Sequence, residues 1–165
     1  MVNYFMLRPV VRVGATTIMR VRNMEDFEAR LAAAYHAWHA SRGRAPEHFF
    51  ALYADDVELH SILEASLMDE MRGPFVGKGA ALAYFTAIAE AWEMIAARTD
   101  SIVARGDQVV VVGHATWRNL RTLRTVDGPK VDVWTVRDGL AVNYLEMFDS
   151  YGTARALGVV DPPEL

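Results

Sequence analysis

From Thr99 to Phe148 the chain reads as four strand-like segments separated by very short breaks. The segments are Thr99–Arg105, Gln108–Arg118, Lys130–Arg137 and Leu140–Phe148; the breaks carry Gly106-Asp107, Asp127-Gly128-Pro129 and Asp138-Gly139. Such breaks suit hairpins, whereas a parallel pair needs a crossover of about a dozen residues or more. This half of the chain must therefore form an antiparallel meander.

The first half is helical. Phe27, Leu31, Tyr35 and Trp38 recur at spacings of four, four and three, one apolar stripe of a helix from about Met24 to Ser41. Asn23 is placed to cap it, and Arg42-Gly43 to stop it. Pro46 suits the start of a short second helix with Phe49, Phe50, Leu52 and Tyr53 on its buried side, ended by Asp55-Asp56. Val57 to Ile62 alternates as a strand. Residues 63–77 read as irregular, and helical spacing returns over Gly79–Ala97 through Leu82, Phe85 and Trp92. Ser150–Leu157 is a last short helix. Helices segregated from an antiparallel sheet define an α+β domain. Residues 1–22 read as an extension, either an extra strand or disordered, and residues 23–165 as a single domain.

Composition narrows the function classes. Seventeen basic against 21 acidic residues, a net charge of −4, give no footprint for nucleic acid. The absence of cysteine excludes thiolate chemistry, disulfides and cysteine-based metal sites, and fits a cytoplasmic protein. The aliphatic run Val109–Val112 is far shorter than the roughly 20 residues of a membrane span. The N-terminal stretch, broken by Arg8, Pro9 and Arg12, lacks the apolar core of a signal peptide. An apolar fraction of 52% suits a domain with a pocket, a solid core or an interface. His36 and His39, three apart on a helix, have no partner by spacing, so no metal is expected. Arg118, Arg121 and Arg124 read as a solvated edge.

Four segments carry a resemblance to a known family. They are Ala34-Tyr35-His36-Ala37-Trp38, the stretch from Phe50 to Val57, Phe75-Val76-Gly77-Lys78-Gly79, and Val131–Gly139 with Tyr144–Asp149. Together they span about residues 24–157 and resemble the nuclear transport factor two-like superfamily, in its SnoaL-like and ketosteroid-isomerase-like branch. The resemblance implies a curved antiparallel sheet wrapped around a long helix, a cone with an apolar cavity, and usually a homodimer. It implies no single activity, because the superfamily holds isomerases, cyclases, dehydratases, epoxide hydrolases and non-catalytic domains.

Carried over residue by residue, the position of the isomerases' protonated acid falls on Asp132. Their base falls on Ser61, which is no base unaided; a one-residue register change would present His60 instead. The oxyanion tyrosine falls near His36, with Tyr35 beside it on the apolar stripe. The last-strand carboxylate of limonene-type epoxide hydrolases matches Glu146, but their preceding Arg and Asp fall on or near His114 and Thr116, which disfavours that mechanism. Glu146 with His114 would make an acid–base pair if both face inward. The expected enzyme is a cofactor-independent proton-transfer catalyst for isomerisation, cyclisation or dehydration of a small apolar carbonyl or polycyclic compound. In it Asp132 stabilises charge, His60 acts as base, and Glu146 or His114 is the second titratable group. Tyr35 orients the substrate, and Trp38, Tyr53, Ser61, Phe85, Trp92, Trp117 and Trp134 supply the pocket wall. The alternative is a hydrophobic-ligand-binding or dimeric assembly domain of the same fold.

Overall fold

A computed structural model describes residues 15–63 and 73–160. The elements run α1 (Ala15–Ala40), α2 (Glu47–Phe50), β1 (Tyr53–Ser61), β2 (Phe75–Val76), α3 (Lys78–Ala91), β3 (Trp92–Arg105), β4 (Gln108–Asn119), β5 (Thr125–Arg137), β6 (Leu140–Phe148) and α4 (Ser150–Leu157). The strands form one curved, unclosed six-stranded sheet in the order β2-β1-β6-β5-β4-β3. All neighbours are antiparallel except β1 and β6, which run parallel. That pair is allowed because residues 62–139, far more than the roughly a dozen a parallel crossover needs, lie between its two strands.

The stripe predicted on α1 is the buried one: Phe27, Leu31, Ala34, Tyr35 and Trp38 all lie in the main core. The helix nevertheless begins at Ala15, not after Asn23. No Gly or Pro stands between Ala15 and Asn23, and an Asn inside a helix costs under about 0.7 kcal/mol. The extension predicted for residues 1–22 thus contributes helix from Ala15 onward, and its first 14 residues lie outside those described.

Three other boundaries differ from the sequence reading. Tyr53 and Asp55-Asp56 belong to β1, not to the end of α2. The helix expected to reach Ala97 stops at Ala91, because Trp92 to Arg105 is laddered to β4 over its whole length apart from two register shifts. There Trp92 and Met94 are buried on one face, and the Ala91 carbonyl accepts from Leu120 N at 2.9 Å and Asn119 Nδ2 at 3.2 Å. A long sheet ladder wins over a helical spacing that matches only locally. Lastly, Asp127-Gly128-Pro129 is not a turn but lies within β5, opposite Thr116, Ala115 and His114. The real turn follows Asn119, whose side-chain oxygen accepts from Arg121 N at 3.2 Å and Thr122 N at 3.1 Å. Of the stretch 63–77, residues 64–72 lie outside those described, and Phe75-Val76 adds a short edge strand.

Helix α4 is capped at both ends. The Asp149 carboxylate accepts from Gly152 N at 2.8 Å, and Gly158 ends the helix in the left-handed region at φ 76°. Arg121 and Arg124 are exposed, as the solvated-edge reading expects, and they also donate to the carbonyls of Leu157 and Arg155, fastening the helix at its last turn.

Candidate active site

Strands β5 and β6 alternate polar side chains into the interior. Lys130, Asp132 and Trp134 point inward from β5, and Tyr144 and Glu146 from β6. The two-residue turn at Asp138-Gly139 begins the ladder at Arg137 opposite Leu140. Kept without a break, that register would set Asp132 against Leu145. A bulge intervenes: Val136 pairs with Ala141 and Thr135 with Asn143, leaving Val142 unpaired. Asp132 therefore faces Glu146, and both are buried.

A single ammonium joins the two carboxylates. Lys130 Nζ lies 2.6 Å from Asp132 Oδ1 and 3.2 Å from Glu146 Oε2, with its side chain 24% exposed. Phenols complete the shell. Tyr35 donates to Asp132 Oδ2 at 2.5 Å and accepts from Trp134 Nε1 at 3.2 Å. Tyr144 lies 3.0 Å from Asp132 Oδ1 and 3.3 Å from Glu146 Oε2, and its oxygen accepts from Lys130 at 3.1 Å. Tyr84, from α3, donates to Glu146 Oε1. Burial and the neighbouring carboxylates push the hydroxyls of Tyr35, Tyr84 and Tyr144 well above the usual tyrosine range, so all three are neutral donors at neutral pH. Burial opposes the Lys130 charge, but Asp132 and Glu146 together outweigh it and raise its pKa.

Two other groups face the same cavity. His39, one helical turn beyond Tyr35, is lowered by burial and by the Lys130 charge, against a smaller opposing effect of Asp132. Its imidazole is neutral at pH 7. The Tyr53 hydroxyl is buried with no hydrogen-bond partner among the described residues.

Aromatic rings build the remaining wall. Phe49 stacks between Phe85 (6.0 Å) and Trp134 (5.9 Å). Trp38 meets Phe49 and Phe85 edge-on at 5.9 and 5.4 Å, and Trp117 lies 6.5 Å from Trp38. Trp92 lines the cavity and packs on Ala156 and Leu157. The cavity leaves about 120 Å³ for the centre of a water-sized sphere, enough for several waters or one small organic molecule.

Asp132, Glu146, Tyr35, Tyr53, Trp38, Phe85, Trp92, Trp117 and Trp134 all line this cavity, while His60 and Ser61 do not. His60 shares the Glu58 face of β1, its Nε2 3.5 Å from the Glu58 carboxylate, while Leu59 and Ser61 turn to the buried side. Ser61 Oγ accepts from Leu63 N at 3.3 Å. A base at His60 would need β1 to slip by one residue, and its pairing to both β2 and β6 fixes the register. His114 also lines the cavity, but it is held at 3.7 Å from Asp127, which Thr116 also binds. No described contact joins it to Glu146. His114 and Thr116 stand where limonene-type epoxide hydrolases have their Arg and Asp, and a different carboxylate–cation–carboxylate arrangement, Asp132, Lys130 and Glu146, lies on β5 and β6.

The sequence matches the SnoaL-like domain family over residues 31–144. The chain belongs to that family. The match spans α1 to β6 and takes in Tyr35, Tyr84, Lys130, Asp132 and Tyr144. Solved SnoaL-like and NTF2-like proteins share the fold. One from Burkholderia pseudomallei, an NTF2-like protein of unknown function, is 20% identical with a TM-score of 0.65, covering 84% of this chain and 96% of its own. An NTF2-like protein from Burkholderia xenovorans is 27% identical with a TM-score of 0.60, covering 87% and 98%. A protein from Jannaschia described as a SnoaL-like polyketide cyclase is 19% identical with a TM-score of 0.62, covering 88% and 96%. No curated protein sequence matches the chain.

Within this SnoaL-like domain, sequence reasoning passed over Lys130, Tyr84, Tyr144 and His39 as site residues. A signal for the strand residues was present. Lys130-x-Asp132-x-Trp134 and Tyr144-x-Glu146 repeat at period two on strands otherwise rich in Val and Leu, and such polar alternation inside an apolar strand marks an inward polar face.

Proposed function

We propose that this protein is a cofactor-independent acid–base enzyme acting on a small, largely apolar, oxygen-bearing molecule. The carrying observation is the Lys130 ammonium bridging Asp132 and Glu146 in a cavity whose wall is largely aromatic and aliphatic. A carboxylate removes a proton from a carbon next to a carbonyl and holds it. Negative charge then develops on the carbonyl oxygen, where a cation and neutral phenols are already oriented. The proton returns to another carbon for isomerisation, or to a departing hydroxyl for dehydration. Low dielectric strengthens each of these interactions. The family match and the polyketide-cyclase description of one structural relative accord with this chemistry.

The bridging lysine favours a second reading, hydrolysis of a small epoxide. There one carboxylate takes a proton from water as that water attacks an epoxide carbon, and the Lys130 ammonium gives a proton to the opening oxygen and is reprotonated from that carboxylic acid.

Proton transfer can be tested without knowing the natural substrate. Exchange of the α-protons of 2-tetralone in D₂O, followed by NMR, is expected to be accelerated by the wild type and slowed about 10²–10⁴-fold in Asp132→Asn or Glu146→Gln. Opening of styrene oxide tests the second reading. Binding of these compounds with no exchange and no turnover overturns both and leaves a ligand-binding domain.

A further inference from the structure

We propose that the Tyr53 hydroxyl is the docking point for the ligand's acceptor oxygen, and that the ligand class is an uncharged, ring-containing ketone or similar carbonyl compound. The inference rests on the small-molecule cavity of the preceding section but not on any turnover there. Of the four phenols gathered around the carboxylates, three are already engaged: Tyr35 with Asp132, Tyr84 with Glu146, and Tyr144 with both. Tyr53 is the fourth. Its side chain is 1% exposed and lines the cavity, and its ring is held by Trp134 in a stack at 6.0 Å and by Phe50 at 5.9 Å. Its oxygen meets no hydrogen-bond partner among the described residues. A buried hydroxyl left unpaired has lost its water and gained nothing in return, so an oxygen that accepts from it gains what the empty site lacks.

The same geometry argues against Tyr35 as the first docking point, although Tyr35 is the tyrosine the family resemblance favoured. Its hydroxyl oxygen lies 2.5 Å from a carboxylate oxygen to which it donates, and a carbonyl would have to displace that charge-assisted hydrogen bond. Tyr53 asks for no such exchange. The ligand's charge follows from the cluster. Asp132 and Glu146 face one ammonium, which already lies within reach of both, so that cluster has no cation left over for an anionic ligand, and the cavity's Arg98 is engaged by Asp100 at 2.9 Å. The Trp38, Phe85 and Phe49 rings offer flat apolar contact for a ring system.

The test uses a matched pair, 2-tetralone and tetralin, which share a ring body and differ in the carbonyl. Dissociation constants from tryptophan fluorescence should favour 2-tetralone in the wild type by about 3–10-fold, and Tyr53→Phe should remove that preference while leaving tetralin unchanged. The free Tyr53→Phe protein should melt at or above the wild-type temperature, because it loses a hydroxyl that no protein group serves; Tyr144→Phe, which loses an engaged one, should melt lower. A ¹³C-labelled carbonyl should shift downfield on binding to the wild type and not to Tyr53→Phe. Equal binding of the two compounds by the wild type overturns the proposal. So does a preference that survives in Tyr53→Phe, tighter binding of 2-naphthoate than of 2-tetralone, no binding of either member of the pair, or a destabilised free Tyr53→Phe. A preference obeying these rules without any proton exchange would refute the enzyme reading and leave this one standing.

Discussion

Asp132 and Glu146 sit directly opposite one another in the β5–β6 ladder, and the Lys130 ammonium reaches both, at 2.6 and 3.2 Å. Like charges placed opposite each other on one sheet face repel, so this pairing depends on the lysine. Lys130→Met should therefore cost about 3–5 kcal/mol in urea denaturation, the range for breaking a buried ion pair. Glu146→Gln made in the Lys130→Met background should recover part of that loss, although it destabilises on its own. A double-mutant cycle reads the sign, and additive effects would refute the coupling. Arg137→Ala, which breaks the exposed pair with Asp56, should leave the denaturation midpoint unmoved.

The same cluster makes the fold sensitive to alkali. Tyr35, Tyr53, Tyr84 and Tyr144 are raised by burial and by the carboxylates, and Lys130 is raised because Asp132 and Glu146 outweigh its burial. For each group the unfolded chain loses its proton first as pH rises. Their contribution is whole below the usual values, about 10 for Tyr and 10.4 for Lys, and is lost above them. Urea midpoints should hold from pH 8 to 9.5 and fall steeply beyond pH 10. Tyr144→Phe should flatten that fall.

His39 works in the opposite direction. Burial first, and Lys130 second, lower its folded pKa below the usual histidine value of about 6.5. As pH falls through that value the unfolded chain takes up a proton that the folded protein resists, so stability present above pH 6.5 is lost below it. Denaturation midpoints at pH 7.5 and 5.5 should differ less in His39→Gln than in wild type. An NMR titration should also show His39 moving back toward 6.5 in Lys130→Met.

How much of this could be read in the sequence depended on whether the signal was local. The stripe Phe27, Leu31, Tyr35 and Trp38 and the turns at Gly106-Asp107 and Asp138-Gly139 are local, and all are realised. The end of α3 is not local. Leu82, read as part of the helix stripe, is 53% exposed, while Ala81, Tyr84 and Phe85 are buried; only pairing with β4 makes Trp92 a strand residue. Asp132, Glu146 and Tyr35 were reached through family resemblance. Lys130 was not, because a lysine on a strand ordinarily reads as solvent-facing. The pairing of Asp132 with Glu146 depends on the unpaired Val142, and no residue type announces a bulge. The choice between His60 and Ser61 turned on register, which the pairing of β1 to its neighbours decides.

Two glycines should respond oppositely to alanine. Gly113 sits on β4 where the β3 register shifts between Thr99 and Ser101, and it lines the cavity. A Cβ there would lie 2.3 Å from the Arg98 carbonyl oxygen, a backbone atom that cannot rotate away. Gly113→Ala must push β3 off β4, at a cost of about 1–3 kcal/mol or more. It should also disturb ligand binding, because Arg98, Thr99 and His114 beside it line the same cavity. Gly79, in the first turn of α3, has nothing within 4 Å of where a Cβ would stand and needs no positive φ. Gly79→Ala removes freedom from the unfolded chain without strain in the fold, and should stabilise by about 0.4–1 kcal/mol. Thermal melts of the two variants beside wild type should fall on opposite sides of it; a neutral Gly113→Ala would mean that the two strands are not pinned as closely as their register implies.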